Sequence, residues 1–179
     1  MKKKFTLSIF SENKIGLLHS ITAIFTRRKI SIDSLNTSES EVKGVYRYTI
    51  VVTTTDDMIE KIARQIERLI EILGVYVHQD EDIIHREVAL YKVPTDAFYN
   101  GNILEQLIRR HNARIIRLEK DYLVIEKTGW KSETQSLLHE LEPYGIMEFV
   151  RSGRVAVSQP HLKLHQKLNE LEKIEKAIV

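Results

Sequence analysis

The spacing of apolar residues in the first half of the chain predicts alternating strands and helices. Residues 4–10 alternate apolar and polar side chains, as a half-buried strand does, whereas 15–28 place apolar residues three and four positions apart, as a helix does. The predicted elements are, in chain order, a strand over 4–10, a helix over 15–28, strands over 30–38 and 45–54 around a turn at Lys43 and Gly44, a helix over 59–73 with Asp56 as N-cap and Gly74 as its end, and a strand over 75–78.

The second half of the chain repeats this order with shorter elements. They are a strand over 86–93 closed by Pro94, a helix over 102–111 capped by Asn102, strands over 114–118 and 122–127, a helix opened by a capping box of Ser132 and Gln135, and a strand over 146–150. The order strand, helix, strand, strand, helix, strand is that of the ferredoxin-like fold.

The pattern therefore predicts an α+β protein made of two tandem ferredoxin-like βαββαβ domains and a C-terminal helix. We place the domains at residues 1–80 and 81–158, and an amphipathic helical tail at 159–179. A helix of this length is unstable alone, so it packs on its own domain or on a partner. The apolar residues of the tail recur at spacings of three and four, at Leu164, Leu168, Leu171, Ile174 and Ile178.

Composition and charge narrow the class of protein. Among 179 residues, 27 are basic, 25 are acidic and none is cysteine. The near-balance of charge argues against a dedicated nucleic-acid surface, and the lack of cysteine excludes disulfides, thiol catalysis and cysteine-ligated metals. The chain starts basic and then apolar, but the apolar part alternates and soon reaches Glu12, which indicates a strand and not an export signal. We expect a cytoplasmic protein without membrane contact.

The connection between the first strand and the first helix carries the candidate chemistry. Gly16 stands at the mouth of the helix, where unpaired backbone N–H groups and the positive end of the helix dipole suit a carboxylate. No nucleophile or acid–base pair accompanies it, so the pattern indicates binding without catalysis. A tight connection, in which Asn13 caps the helix and Gly16 only permits close packing, explains the same residues.

Three other segments have a functional and a plainer interpretation. The run 78–85 has two histidines and three acidic residues, which suit a metal, although a solvated linker is the simpler reading. Residues 43–50 are similar to the third strand of RNA-recognition motifs, but Val45 stands where a stacking aromatic residue belongs. Arg151 and Arg154 flank a Ser-Gly pair that suits a phosphate, a partner contact or a polar turn.

Three consecutive segments resemble the ACT domain of the acetolactate synthase small, or regulatory, subunit. They are residues 12–18 (Glu-Asn-Lys-Ile-Gly-Leu-Leu), 25–28 (Phe-Thr-Arg-Arg) and 30–35 (Ile-Ser-Ile-Asp-Ser-Leu). The family pattern is approximately E-N-x-x-G-x-L, followed by L-F-x-x-R-G-Y-N-I-x-S-L. Residues 84–93 resemble the start of the family's second domain and 151–153 resemble its end, so that the resemblance covers about residues 3–158.

The resemblance implies a non-catalytic subunit that activates the thiamine-diphosphate-dependent large subunit of acetolactate synthase. It also implies feedback inhibition by valine or another branched-chain amino acid, bound between the ACT domains of a homodimer. Thiamine diphosphate, Mg and FAD would belong to the large subunit, and this chain would bind no cofactor or metal. The matching effector-binding positions are Asn13 for the polar end of the effector, Ile15, Gly16, Leu17 and Leu18 around its carboxylate, and Ser31 and Ile32 from the second strand of the partner chain.

One departure from the family pattern bears on the effector. The family's Gly-Tyr-Asn reads Lys29, Ile30, Ser31 here, and a serine hydroxyl only partly replaces the donor and acceptor of an asparagine amide. We expect a weak or altered effector response. Two alternative functions are a free-standing ACT-type amino acid sensor for another enzyme and an RNA-binding ferredoxin-like module.

Overall fold

An antiparallel four-stranded sheet with two helices on one face forms the first half of the chain. The computed structural model describes residues 1–96 and 103–159. The strands follow one another across the sheet in the order β2-β3-β1-β4, as in the ferredoxin-like fold. The elements are β1 (Lys3–Glu12), α1 (Leu17–Arg27), β2 (Ile32–Glu39), β3 (Val45–Thr54), α2 (Asp56–Ile66) and β4 (Ile72–His78).

The second half builds an equivalent sheet, in the order β6-β7-β5-β8, with a further strand, β9, paired to β5. This repetition of strand order confirms the predicted pair of ferredoxin-like folds. The elements are β5 (Ile83–Pro94), α3 (Ile103–Arg110), β6 (Arg114–Leu118), β7 (Tyr122–Gly129), α4 (Lys131–Leu141), β8 (Glu148–Arg151) and β9 (Val155–Ser158), with 3-10 turns at Asp80–Asp82 and Glu142–Tyr144.

Two compact units result from this arrangement. The first comprises Met1–Ile84 and, of the described residues near the C-terminus, 156–159, and the second comprises His85–Val155. The tail helix predicted over 159–179 lies outside the described residues except for residue 159. The predicted N-cap Asn102 lies outside them as well.

The core of the first unit follows from the alternation along β1. Phe5, Leu7 and Ile9 are at most 3% exposed and pack with Ile21 of α1 and Ile62 of α2. Because successive side chains of a strand point to opposite faces, this alternation turns one face of the sheet towards both helices. Each fully buried aliphatic or aromatic side chain contributes about 1.5–3 kcal/mol.

The opposite face of β1 is buried as well, and it carries the polar side chains of Thr6 and Ser8 next to Phe10. Thr6 and Ser8 are 0% exposed, and Arg47 of β3 donates to the Ser8 hydroxyl (3.0 Å) and to the Ala156 carbonyl oxygen (2.6 Å). Burial lowers the pKa of the Arg47 guanidinium and of the nearby His78 imidazole. Hydrogen bonds thus compensate for much of the desolvation of this polar layer.

Helix α2 is shorter than the sequence predicts. It ends at Ile66, and Gly74 lies inside β4, opposite Phe10 of β1. The amides of Leu69 and Ile72 donate to the carbonyl oxygens of Ile66 and Leu69, which forms two successive turns after the helix. The prediction of a helix to residue 73 was wrong because residues 69 and 72 still face the core in these turns, so the apolar spacing persists after the helix has ended.

The predicted N-caps of α2 and α4 are both displaced. Thr55, not Asp56, precedes α2, and Trp130 precedes α4. The Glu133 carboxylate accepts from the Trp130 amide at 2.7 Å, so the predicted Ser132–Gln135 capping box does not open this helix. As in other capping boxes, the residue three positions after the N-cap provides the carboxylate that accepts from the N-cap amide. Here, however, the N-cap residue is tryptophan and not serine.

The first helix of each unit ends in the same hydrogen-bonding motif. Ile30 and Lys29 donate to the carbonyl oxygens of Phe25 and Thr26, which are the two bonds of a Schellman motif, and the equivalent bonds close α3 around Asn112. Lys29 has φ 56° and Asn112 has φ 49°. Asparagine tolerates the left-handed conformation, whereas lysine adopts it at a cost.

We expect Lys29→Gly to raise the free energy of unfolding by about 0.5–1 kcal/mol, because glycine adopts the positive φ without strain. The relief of this strain is larger than the entropic cost of ordering glycine, which is more flexible than lysine in the unfolded chain. Urea denaturation of the full chain measures the change. Lys29→Ala is the matched control, since it removes the side chain and keeps the strain, and it should leave stability nearly unchanged. A Lys29→Gly protein less stable than the Lys29→Ala protein would contradict the interpretation.

Candidate functional site

The connection between β1 and α1 opens the helix with a glycine in the left-handed conformation. Gly16 is the N-cap, with φ 87°, and no side chain bonds to the cap. The Leu17 amide donates to the Lys14 carbonyl oxygen (3.3 Å), and the Ser20 amide makes the first helical bond to Gly16 (3.1 Å). The amides of Leu18 and His19, which lie between Leu17 and Ser20 in the chain, have no acceptor within the helix. The alternative in which Asn13 caps the helix was therefore wrong.

The residue before β4 anchors this connection. The Glu12 amide donates to the Glu71 carbonyl oxygen (3.0 Å), and the Lys14 ammonium lies 2.8 Å from the Glu71 carboxylate. The hydrogen bond and the charge of Lys14 lower the pKa of the Glu71 carboxyl, and Glu71 raises the pKa of Lys14 in return. Backbone and side chain of one residue thus hold both the end of β1 and the turn that follows.

Glu71 was missed in the sequence, because it lies far from the turn along the chain. A signal existed in the predicted topology. Lys14 follows the end of β1 and Glu71 precedes the start of β4, and two antiparallel neighbours bring such ends together.

The turn has one buried side and one open side. Leu17 is 4% exposed and holds the first turn of α1 to the core, whereas Leu18 is 39% exposed and Ile15 is fully exposed. Asn13 is exposed as well. The structure therefore presents Asn13, Ile15, Leu18 and the backbone at Gly16 to any molecule that approaches the mouth of α1.

The two remaining predicted site residues, Ser31 and Ile32, lie at the other end of the sheet. Glu12 is opposite Val45 on β3, whereas Ile32 is opposite Val52. Seven residues along β3 correspond to about 23 Å, so one chain does not bring the two groups of residues together. A site that contains both groups needs a second chain.

The structure also weakens the other interpretations of the sequence. Tyr48 lies in the core of the first unit, and Tyr46 packs against this core, so neither offers a ring on the sheet face away from the helices. Arg151 lies 3.3 Å from the buried Glu87 carboxylate, so an acidic partner already occupies its guanidinium. Among residues 1–96 and 103–159, no group of histidine, cysteine, aspartate and glutamate side chains could hold a metal ion.

Within the same ranges, no helix is both long and apolar enough to cross a membrane.

A βαββαβ unit whose first helix begins at a glycine after the first strand is consistent with an ACT-type domain, and comparison with known proteins identifies it as one. Residues 7–74 match the family described as "AHAS small subunit-like ACT domain", and residues 86–160 match "Small subunit of acetolactate synthase". The chain belongs to the family of acetolactate synthase small subunits.

Individual relatives cover nearly the whole chain. The acetolactate synthase small subunit of Mycolicibacterium smegmatis is 37% identical over 86% of this chain and 90% of its own length. That of Bacillus subtilis is 31% identical over 89% and 91%, respectively. The crystal structure of the small subunit from Thermotoga maritima superimposes with a TM-score of 0.80 at 29% identity, over 89% of this chain and 99% of that one.

We expect the pKa of the Glu71 carboxyl, followed by NMR titration, to lie below its ordinary value and to rise towards it in Lys14→Met, because the ammonium stabilises the ionised carboxylate. The contribution of the pair to stability is complete at neutral pH and is lost as the pH falls through this lowered pKa. Lys43→Met removes a positive charge from the β2–β3 turn and should leave the Glu71 titration in place. An unchanged titration in Lys14→Met would show that the turn is not anchored in this way.

Proposed function

We propose that this chain activates the thiamine-diphosphate-dependent catalytic subunit of acetolactate synthase and makes it sensitive to a branched-chain amino acid, with valine as the first candidate. The observation that carries the proposal is the open, anchored β1–α1 turn in a chain of this family. Thiamine diphosphate, Mg and FAD belong to the catalytic subunit in this proposal, and the present chain supplies binding surfaces only.

The turn suits the carboxylate end of an amino acid. The amides of Leu18 and His19 lie at the positive end of the α1 dipole, where an anion is favoured by about 0.3–1 kcal/mol at an exposed site. Gly16 has no Cβ, and apart from its two neighbours in the chain no residue comes within 4 Å of the position that a Cβ would take, so a ligand can approach the backbone there. Asn13 adds an amide that can donate to the effector and accept from it.

A second copy of the chain can complete the site through the exposed edge of β2. Glu39, the last residue of β2, is opposite Tyr46, which is opposite Ser11 near the end of β1. If two β2 strands pair antiparallel about a twofold axis, the start of one lies beside the end of the other. Ser31 and Ile32 of the second copy then reach the level of the β1–α1 turn, and the effector lies between the two chains.

The direct test is reconstitution. The purified catalytic subunit is assayed for acetolactate formation alone, with this chain, and with this chain plus valine, leucine or isoleucine. The proposal predicts a higher rate with the chain and a lower rate when the effector is added. If the chain changes neither the rate nor the response to any of the three amino acids, the proposal is wrong.

Gly16→Asp should abolish the effector response and retain activation, because the new carboxylate repels the effector carboxylate at the mouth of α1. Gly16→Asn is the matched control, because asparagine has the same shape, no charge and a similar tolerance of positive φ. Isothermal titration calorimetry with valine and the reconstituted assay measure the two properties. Equal loss in both variants would mean that the backbone conformation, and not the charge, is what the effector requires.

Two defective chains should restore the response when they are mixed, if the site is shared. Gly16→Asp damages the turn, and Ser31→Glu places a larger, charged side chain at the exposed position directly before β2. A heterodimer of the two variants has one site with both defects and one site with none. We expect an equal mixture that exchanges subunits freely to recover about a quarter of the valine sites, since about half of the dimers are heterodimers with one intact site each, whereas a site within one chain would recover nothing.

A further inference from the structure

A polar cavity lies in the second unit, where the end of α3, the start of α4 and the end of β7 meet. Its volume is about 310 Å³, at the lower end of the range of about 300–1,000 Å³ that is usual for small-molecule sites. Most such sites have a mainly apolar lining, whereas every residue that lines this cavity is polar or charged, which suits a hydrophilic ligand. The lining includes Arg110, His111, Lys127, Ser132, Glu133 and Ser136.

Lys127 of β7 lines this cavity and is unusually buried for a lysine. It follows Leu123 and Ile125 on the face of β7 that packs against the helices, and its side chain is only 8% exposed. Lysine is almost never this buried unless it is paired, because an ammonium that is removed from water needs an opposite charge and hydrogen-bond acceptors in return. The surroundings of Lys127 therefore show what the cavity lacks.

The described residues give the Lys127 ammonium one distant partner. Its Nζ lies 4.0 Å from Oε1 of Glu133, which is too far for a hydrogen bond. The Glu133 carboxylate is held elsewhere, because its Oε2 accepts from the Trp130 amide at 2.7 Å and lies 2.6 Å from the position that a Cβ would take at Gly129. Among the described residues, the three N–H groups of Lys127 thus have no protein acceptor.

The end of α3 contributes a second cation to the cavity. Arg110 Nη1 lies 3.6 Å from the Glu140 carboxylate, and its side chain is 67% exposed, so part of its guanidinium stays available. His111 Nε2 lies 2.8 Å from the same carboxylate, which is thereby compensated by its own partners. Of the described lining residues, two are thus cationic and only Glu133 carries a carboxylate, whose charge the positive end of the α4 dipole offsets.

The first turns of α4 add neutral donors on the opposite side of the cavity. Ser132 and Ser136 are exposed and one turn apart, so their hydroxyls lie on the same face of the helix. The Ser136 hydroxyl makes one long bond to Glu140, at 3.4 Å. The unpaired amides at the start of α4 and the positive end of its dipole favour an anion at the same place.

We propose that this cavity binds the phosphate group of a small phosphorylated metabolite. Donors approach it from three elements, with Lys127 on the sheet, Arg110 at the end of α3, and Ser132 and Ser136 on α4. A tetrahedral phosphate accepts hydrogen bonds from several directions, whereas the acceptors of a carboxylate lie in one plane.

The proposed phosphate site belongs to the second unit alone. All of its residues lie within His85–Val155, whereas the β1–α1 turn lies in the first unit. The cavity is also larger than one phosphate group, which leaves room for the remainder of a phosphate monoester. The proposal therefore stands or fails independently of the effector site.

Inorganic phosphate is the probe for the first test. The full-length chain is titrated with phosphate at constant ionic strength, and NMR should show saturable shifts of the amide signals of Ser132, Glu133 and Ser136. Lys127→Met should weaken binding about tenfold or more, because the phosphate loses a charge-assisted hydrogen bond from a buried ammonium. The absence of saturable shifts, or an unchanged affinity in Lys127→Met, would overturn the proposal.

Lys131→Met is the matched control for the loss of a positive charge. Lys131 is exposed on the first turn of α4 and does not line the cavity, so its replacement should change the affinity for phosphate by less than about twofold. A loss in Lys131→Met as large as that in Lys127→Met would show that phosphate responds to the general charge of the surface, and the proposed site would be wrong.

Two further ligands and one double variant complete the test. Glycerol 3-phosphate should bind at least as tightly as inorganic phosphate, and acetate should bind more weakly than either; acetate that binds as tightly as phosphate would rule out a phosphate site. The double variant Ser132→Ala and Ser136→Ala keeps Lys127 and uses a residue that helices favour, so it remains informative even if Lys127→Met does not fold. It should weaken phosphate binding several-fold, and an affinity equal to that of the parent chain would contradict the proposal.

Discussion

The position of β1 between β3 and β4 is the constraint on which the first unit depends. Its alternation sets the core face, and its register with β3 and β4 determines where the strand ends and therefore where α1 begins. At that end the Glu71 backbone and side chain hold Glu12 and Lys14. The mouth of α1 is therefore a fixed feature of the fold, and the same register separates it from Ser31 and Ile32.

Strand alternation was the most reliable signal in the sequence, and element ends were the least reliable. The bounds of β3 (Val45–Thr54) and β6 (Arg114–Leu118) agree with the predicted strands residue for residue. The predicted end of α2 was wrong because Leu69 and Ile72 still face the core after the helix has ended. Their spacing is that of a helix, although they lie in turns. The candidate site residues could be named from a local sequence motif. Their anchor, Glu71, could not, because its position depends on the pairing of β1 with β4, which the spacing of apolar residues does not reveal.

The two units share strand order and helix closure, but they differ in how the outer faces of their sheets are satisfied. In the first unit this face combines apolar residues such as Phe10 with a polar patch, in which buried Ser8 accepts from partly buried Arg47 and Arg47 also donates to the Ala156 carbonyl oxygen. In the second unit the equivalent face is apolar, and Leu90 and Val150 remain partly exposed. A polar layer can be satisfied by a short segment that provides carbonyl oxygens, whereas an apolar layer is satisfied only by the removal of water over a wide area.

The departure from the family pattern at Lys29 and Ser31 has two separable consequences. The left-handed conformation at Lys29 belongs to the Schellman motif that closes α1, so its strain acts on the helix end and on stability. Ser31 lies two residues further on, outside that motif and exposed directly before β2, and in the proposed site it contributes only through a second chain. The two positions lie two residues apart in sequence but have separate consequences, because Lys29 acts on the end of α1 in its own unit, whereas Ser31 acts on the effector only in the proposed site that two chains share. Of the two departures, the loss of the family's glycine therefore bears on the stability of α1, and only the serine at residue 31 bears on the proposed effector site.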